Sequence, residues 1–170
     1  MKLFSREYGD GEPLIILHGL LGSSDNWLTQ AKLLSPRFKV YTVDQRNHGQ
    51  SPHDDAFDYQ SMVNDLIEFL DDHHLENPVL IGHSMGGKTV MNFALQHPDR
   101  VNKLVVVDIA PRAYNLEHYT LINAMAKLPL AEIKSRNDAD AMLANEVSEP
   151  DVRQFLLKNL QRTTENGFSW

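Results

Sequence analysis

The sequence predicts an α/β fold in which helices flank a mostly parallel sheet. The first observation is a set of short, continuous apolar runs, a pattern typical of strands buried on both faces of a sheet: "LIIL", "FKVYTVD", "NPVLIG" and "VNKLVVVD". The second is that segments with helical periodicity separate these runs. This alternation indicates a doubly wound sheet, whose functional sites lie at the carboxyl ends of the strands.

The N-terminal region contains two extended segments and a helix. Residues 2–8 and 14–17 have strand-like patterns, and the "GDGEP" between them suits a tight reversal, so we expect a hairpin. The next segment, "SSDNWLTQAKLL", begins with several candidate N-caps and carries Trp27, Ala31 and Leu34 at helical spacing. A strand is then predicted over residues 38–44.

Two further helices separate the later strands. The segment "SMVNDLIEFLDDHH" carries four apolar residues that share one face: Met62, Leu66, Phe69 and Leu70. The segment "MGGKTVMNFALQHPDR" predicts a helix that starts at Met85 and stops before Pro98. Strands are predicted over residues 77–82 and 101–108, on either side of this helix.

After Val107 every periodic segment is helical, and no further buried strand is predicted. We therefore divide the chain into residues 1–111, which carry the sheet, and residues 112–170, which form a separate helical layer. An apolar stripe in that layer favours ordinary core packing over a binding surface: Leu116, Tyr119, Ile122 and Met125.

Composition excludes several classes of function. The 170 residues include 23 acidic and 16 basic side chains, with no basic run, which disfavours a nucleic-acid partner. The absence of cysteine excludes disulfides and thiolate chemistry. No apolar run approaches the roughly 18 residues of a membrane span, so we predict a cytoplasmic protein without membrane contact. The adjacent His73 and His74 lack a chelating spacing, and no metal site is predicted.

The stretch "GHSMG" has the spacing of a nucleophile elbow, with Ser84 between Gly82 and Gly86. Such a turn is so sharp that only small side chains fit two residues before and after the serine. The serine itself takes a strained backbone conformation that costs roughly 1–3 kcal/mol. Ser84 is therefore the candidate nucleophile. The alternative is a glycine-rich strand-to-helix turn with an incidental serine.

An acyl-transfer nucleophile needs an oxyanion hole, in which each N–H donor lowers the barrier by about 3–4 kcal/mol. One donor of such an elbow is the backbone N–H of the residue after the serine, here Met85. The second comes from the loop after the first long strand, "HGLLG", where we choose the Leu20 N–H. The alternative for "HGLLG" is a simple chain reversal.

Four motifs in order, "HGLLGSSDNW", "DQRNHGQS", "GHSMGGK" and "VDIAP", resemble the α/β-hydrolase superfamily and, more narrowly, the bacterial YbfF-type esterases. The matching segments span roughly residues 14–111. The resemblance implies the α/β-hydrolase fold and hydrolysis of small carboxylic esters or thioesters without a cofactor. It also implies that Ser84 is the nucleophile, that Asp108 is the acid, and that a helical cap begins near Leu116.

A triad of this type also needs a histidine, which follows the acid in the chain. Only His118 follows Asp108, and it lies near the start of the presumed cap helix instead of in a loop after a last strand. We interpret His18 and His48 as residues that order loops, and we expect the His83 side chain to point away from the Ser84 Oγ.

We therefore expect the C-terminal part of the fold to be missing from these 170 residues. The catalytic histidine is then expected beyond Trp170, in a continuation of the chain or in a separate chain. Without it, the isolated chain should show little activity, because losing a triad member leaves only the contributions of binding and the oxyanion hole.

Two alternatives stay open at this stage. The same fold could catalyse C–C bond hydrolysis, perhydrolysis or a lyase step, or the chain could be a hydrolase-like binding module without catalysis. Dehalogenase and epoxide-hydrolase chemistry is disfavoured, because those enzymes carry a carboxylate at the position of Ser84. Three cations near the predicted site could meet an anionic substrate, although surface solvation or helix capping is the favoured interpretation: Arg46, Lys88 and Arg112.

Overall fold

The computed structural model describes residues 1–114, 118–164 and 167–170, which fall into two compact units, Met1–Arg112 and Ala113–Trp170. The first unit contains a five-stranded sheet, and its strands are β1 (Ser5–Tyr8), β2 (Glu12–Leu17), β3 (Phe38–Val43), β4 (Val79–His83) and β5 (Lys103–Val107). Its α-helices are α1 (Leu28–Leu34), α2 (Tyr59–Asp72) and α3 (Met85–Gln96). The predicted α/β fold class is confirmed.

The strand order is β1-β3-β2-β4-β5. Strand β2 lies at the centre and pairs in parallel with β3 and β4, and β5 pairs in parallel with β4. Only β1 is antiparallel, and it pairs with β3. The carboxyl ends of four strands therefore meet at one edge of the sheet, where α/β proteins place their sites.

The hairpin expected at the N-terminus is wrong. Strands β1 and β2 do not pair with each other, because β3 lies between them and pairs with both. Gly9 and Gly11 do reverse the chain, with φ of +71° and +119°. A Cβ on Gly9 would lie 2.1 Å from the carbonyl oxygen of Ser35. The local sequence thus specifies the reversal, whereas the neighbour of each strand depends on a segment some thirty residues away.

The core of the first unit has two layers, one on each face of the sheet. Ile15 and Leu17 of β2 face the layer with α2 and α3, and Leu14 and Ile16 face the layer with α1. All four side chains are at most 2% exposed. Burial of each such side chain contributes roughly 1.5–3 kcal/mol, so β2 is firmly anchored in the core. The four apolar residues predicted to share a face of α2 are all buried, as expected.

Strand β5 differs from its prediction as a buried strand. Leu104 and Val105 are 40% and 44% exposed. The reason is that β5 is the edge strand of the described sheet and has a neighbour, β4, on one side only. An apolar run predicts a strand that can be buried on both faces, but whether it is buried depends on the elements that pack against it.

The second unit contains α4 (His118–Ala126), α5 (Arg136–Leu143) and α6 (Pro150–Leu157), followed by a short antiparallel pair, β6 (Gln161–Arg162) and β7 (Phe168–Ser169). The expectation of helices alone after Val107 is therefore wrong at the end of the chain, where Phe168 of β7 is buried. The predicted apolar stripe is also wrong as core packing: Met125 is buried, but Tyr119 is 58% and Ile122 is 39% exposed. Leu116 lies outside the described residues. A role of this unit as a cap stays a prediction.

Candidate active site

The predicted site residues follow the ends of three neighbouring parallel strands. Leu20 lies in the turn after β2, Ser84 directly follows β4, and Asp108 directly follows β5. Two backbone hydrogen bonds connect these strand ends. The Ser84 N–H donates to the Val107 carbonyl and the Gly86 N–H donates to the His18 carbonyl, both at 3.1 Å. The fold thus brings the three segments to one edge.

Ser84 has an unusual backbone conformation, with φ of +49° and ψ of −112°. This lies outside the regions that L-residues normally occupy and is the kind of strain that only the surrounding structure can maintain. Its neighbours show how. A Cβ on Gly82 would lie 2.3 Å from the Gly86 carbonyl oxygen, and a Cβ on Gly86 would lie 2.4 Å from the Leu17 carbonyl oxygen. The two glycines therefore allow close backbone approach on both sides of the serine.

Ser84 is also the residue before the first turn of α3, which runs for twelve residues. The N-terminal end of a helix has free N–H groups and a partial positive charge. Within the described residues, no protein acceptor is found for the Met85 N–H, and the same holds for the Leu20 N–H. The adjacent Leu21 and Gly86 N–H groups are both occupied. Two N–H donors near Ser84 are thus available to another acceptor.

Asp108 also has a positive φ, of +53°, and its side chain is 89% exposed. Its Oδ2 lies 3.9 Å from Nε2 of His83, whose ring faces the Trp27 ring at a centroid distance of 6.3 Å. The proximity of His83 to Asp108 was not predicted from the sequence, where the only signal is that His83 precedes Ser84. Whether the His83 ring points away from the Ser84 Oγ stays a prediction.

A buried polar network supports the loop after β2. His18 and His48 are 1% and 6% exposed, and their rings lie 5.1 Å apart. The Nδ1 of His18 pairs with the Gly19 carbonyl, and the Nδ1 of His48 pairs with the Arg46 carbonyl, each at 2.8 Å. Each Nε2 accepts a backbone N–H. These contacts agree with the interpretation of both residues as loop-ordering groups.

Burial sets the charge of these two rings. It lowers the pKa of His18 to about 4, with a further contribution from the nearby His48. Burial also lowers the pKa of His48, against the opposing effects of the Arg46 carbonyl and the Asp44 carboxylate. Both rings are therefore neutral at neutral pH, with the proton on Nδ1, and the lone pair on Nε2 accepts the backbone N–H.

The sequence did not predict the other members of this network. The Gln45 side chain donates to the His18 carbonyl at 2.7 Å and accepts from the Thr89 hydroxyl at 3.0 Å. It thereby connects the loop after β2 to α3, the helix that begins at Ser84. Buried glutamine and threonine have no sequence signature of this role, because their partners lie 27 and 44 residues away.

The cations considered for an anionic substrate have other partners. Arg46 is buried in a two-pronged ion pair with Asp65, at 2.6 and 2.8 Å, so neither surface solvation nor substrate binding describes it. The Lys88 ammonium donates to the carbonyl of Arg112. In the described ranges no cluster of side chains has the makeup of a metal site, and no helix is long and apolar enough to span a bilayer. A cytoplasmic location stays a prediction.

Comparison with known proteins gives consistent results. The profile of the family described as alpha/beta hydrolase fold matches residues 12–138. A diacylglycerol lipase of Xenopus laevis, sn-1-specific ABHD11, is 46% identical over 94% of this chain and 54% of its own length. Esterase YbfF of Escherichia coli is 38% identical over 88% of this chain and 59% of its own length.

Among solved structures, a marine microorganism esterase is 46% identical and superimposes with a TM-score of 0.96, over 99% of this chain and 67% of that one. The chain spans about half the length of the curated relatives that it matches.

Proposed function

This chain belongs to the α/β hydrolase family, and on that basis we propose that it carries the nucleophile of a serine hydrolase that cleaves carboxylic esters or thioesters. The observation that carries the proposal is the strained conformation of Ser84 between β4 and α3, next to glycines that leave no room for a Cβ. The names of the relatives, esterases and a lipase, support an ester as substrate.

The proposed reaction has two steps. The Ser84 oxygen attacks the carbonyl carbon of the ester while a histidine takes its proton, and this histidine then gives the proton to the departing alcohol or thiol. Water next attacks the acyl-enzyme, which releases the carboxylic acid and restores the serine. The Met85 and Leu20 N–H groups are the candidates to stabilise the oxyanion in both steps, because neither has an acceptor among the described residues.

The proposed reaction also requires a general base. His18 and His48 are unsuitable, since each has both ring nitrogens engaged in hydrogen bonds. We assign the role to a histidine outside these 170 residues, as the greater length of the relatives allows. Asp108, with an exposed carboxylate one strand from Ser84, would orient that imidazole.

A fluorophosphonate probe tests the proposal directly, because it labels only activated serines. We expect the full-length protein to be labelled at Ser84, and Ser84→Ala to lose both labelling and ester hydrolysis. Ser148→Ala, at an exposed serine of the second unit, is the matched control and should react like the wild type. Labelling that survives Ser84→Ala, or a wild-type protein that is never labelled, would contradict the proposal and favour a non-catalytic binding module.

A further inference from the structure

The motif "DQRNHGQS" follows β3 and has no role in the reaction proposed above, yet it contacts the loop that carries Leu20. We call residues 44–51 the β3 loop and residues 18–24 the β2 loop. Three backbone N–H groups donate to side chains across these loops: Gln45 to His18 Nε2 at 3.0 Å, Leu21 to His48 Nε2 at 3.0 Å, and Ser24 to Asp44 Oδ1 at 2.6 Å. Side-chain acceptors therefore hold the two loops together.

His48 makes the contact nearest to the candidate oxyanion donor. Its Nε2 accepts the N–H of Leu21, the residue after Leu20. Leu21 has a φ of +60°, in the left-handed region that a leucine does not favour. Leu21 lies in a turn that is closed by a hydrogen bond from the Gly22 N–H to the Gly19 carbonyl, at 3.0 Å, and the contact with His48 is its second support. The His48 ring is itself held in place, by the Arg46 carbonyl and by the Phe57 ring at a centroid distance of 6.0 Å.

We propose that His48 is a positioning residue, which fixes the Leu20 N–H for the developing oxyanion by accepting the N–H of Leu21, and that protonation of His48 releases the β2 loop. The proposal rests on the function proposed above. Its physical basis is that an imidazolium carries N–H on both ring nitrogens and cannot accept a hydrogen bond. Leu21 would then keep only the turn hydrogen bond between Gly22 and Gly19, and the Leu20 N–H would be held less firmly.

The groups around His48 determine the pH at which its ring is protonated. The Arg46 carbonyl and the Asp44 carboxylate favour the charged form of the ring, whereas His53, beyond the β3 loop, opposes it. Burial opposes it further and is the largest effect, so it keeps the pKa of His48 below the usual histidine value. The β2 loop is thus held at neutral pH and released only in acid. His18 adds to the effect, because its Nε2 is also an acceptor between the loops.

Kinetics of the full-length enzyme test the role of His48. His48→Leu removes the acceptor, and we expect kcat to fall by about a hundredfold with little change in KM, the effect of misplacing one oxyanion donor. His48→Gln places an amide oxygen near the position of Nε2 and should retain most of kcat at pH 8. His74→Asn, at an exposed histidine, is the control for a general effect of histidine loss and should behave like the wild type.

The pH profile separates positioning from a merely structural role. Above the His18 pKa of about 4, log(kcat/KM) of the wild type should fall with a slope approaching 2 as the pH drops, one proton for the catalytic base and one for His48. His48→Gln should reduce that slope to 1. An unchanged kcat in His48→Leu, or a slope of 2 that persists in His48→Gln, would overturn the proposal.

Nuclear magnetic resonance provides a measurement that needs no turnover. In Ser84→Ala protein, the Leu21 amide and the His48 ring nitrogens should titrate with the same midpoint. If they do so and the wild-type protein is never labelled by fluorophosphonate, the contact between the loops is supported and the proposed function fails. If the Leu21 amide does not follow His48, this proposal is overturned whatever Ser84 does.

Discussion

The centre and the edge of the sheet differ in a way that their sequences do not reveal. "LIIL" of β2 and "LVVV" of β5 are similar apolar runs, yet residues 14–17 are at most 2% exposed, whereas Leu104 and Val105 are 40% and 44% exposed. The backbone near the end of β2 meets the Ser84 turn so closely that Gly86 has no room for a Cβ. The end of β5 holds Asp108 with an 89% exposed side chain. The candidate nucleophile, Ser84, is thus placed by dense packing, and the candidate acid, Asp108, lies at an open edge.

Asp108→Asn should have the largest effect that this difference predicts. An amide cannot hold a histidine in the reactive tautomer, and in a serine triad this change lowers kcat by about 10⁴. Because the carboxylate is exposed, the free energy of unfolding should change by less than about 0.5 kcal/mol. Ester hydrolysis by the full-length protein and urea denaturation measure the two quantities. A stable variant with wild-type kcat would remove Asp108 from the mechanism.

Truncation of one side chain in β2 and of one in β5 compares the centre and the edge of the sheet directly. Ile15→Ala should lower the free energy of unfolding by about 2–5 kcal/mol, because it leaves a cavity between β2 and the helices. Val105→Ala should cost less than about 1 kcal/mol in the 170-residue chain, since the side chain is partly in water already. Urea denaturation of both variants checks this. Equal losses would show that β5 is covered in solution.

Acid should destabilise the centre of the sheet, because it protonates the buried His18 ring. The pKa of this ring is about 4 in the folded chain, below the ordinary value of 6.5, so the unfolded chain binds the proton more readily. The contribution of His18 to the free energy of unfolding is fully present above pH 6.5. It falls by about 3 kcal/mol as the pH drops to 4 and below. His18→Gln should flatten this part of the curve of unfolding free energy against pH, relative to the His74→Asn control. Identical curves for His18→Gln and wild type would refute the assignment.

Gly86→Ala tests whether packing places Ser84. The new Cβ would meet the carbonyl oxygens of Leu17 and His18 at 2.4 and 2.6 Å, and backbone cannot yield easily, so we expect a loss of about 1–3 kcal/mol in unfolding free energy. The rate of fluorophosphonate labelling should fall as well. Gly167→Ala is the control, because among the described residues its Cβ would meet the Thr163 hydroxyl alone, at 3.2 Å. A normal labelling rate in Gly86→Ala would show that the reactivity of Ser84 does not depend on the close packing around it.

The sequence by itself determined the features that arise within a few residues. Apolar runs and helical spacing predicted the strands and helices of the first unit, and the spacing of Gly82, Ser84 and Gly86 predicted a turn whose steric reason is visible in the structure. Periodicity and turn sterics are local properties, and a single chain segment carries them.

Only the tertiary structure decided which segments become neighbours. It placed β3 between β1 and β2, left β5 at the edge, and brought the Nε2 of His48 to the N–H of Leu21. The partners in these contacts are far apart in the chain, and each contact depends on how the whole sheet packs against its helices. The sequence specifies which residue is a histidine, whereas the packing around that histidine determines which group it holds in place.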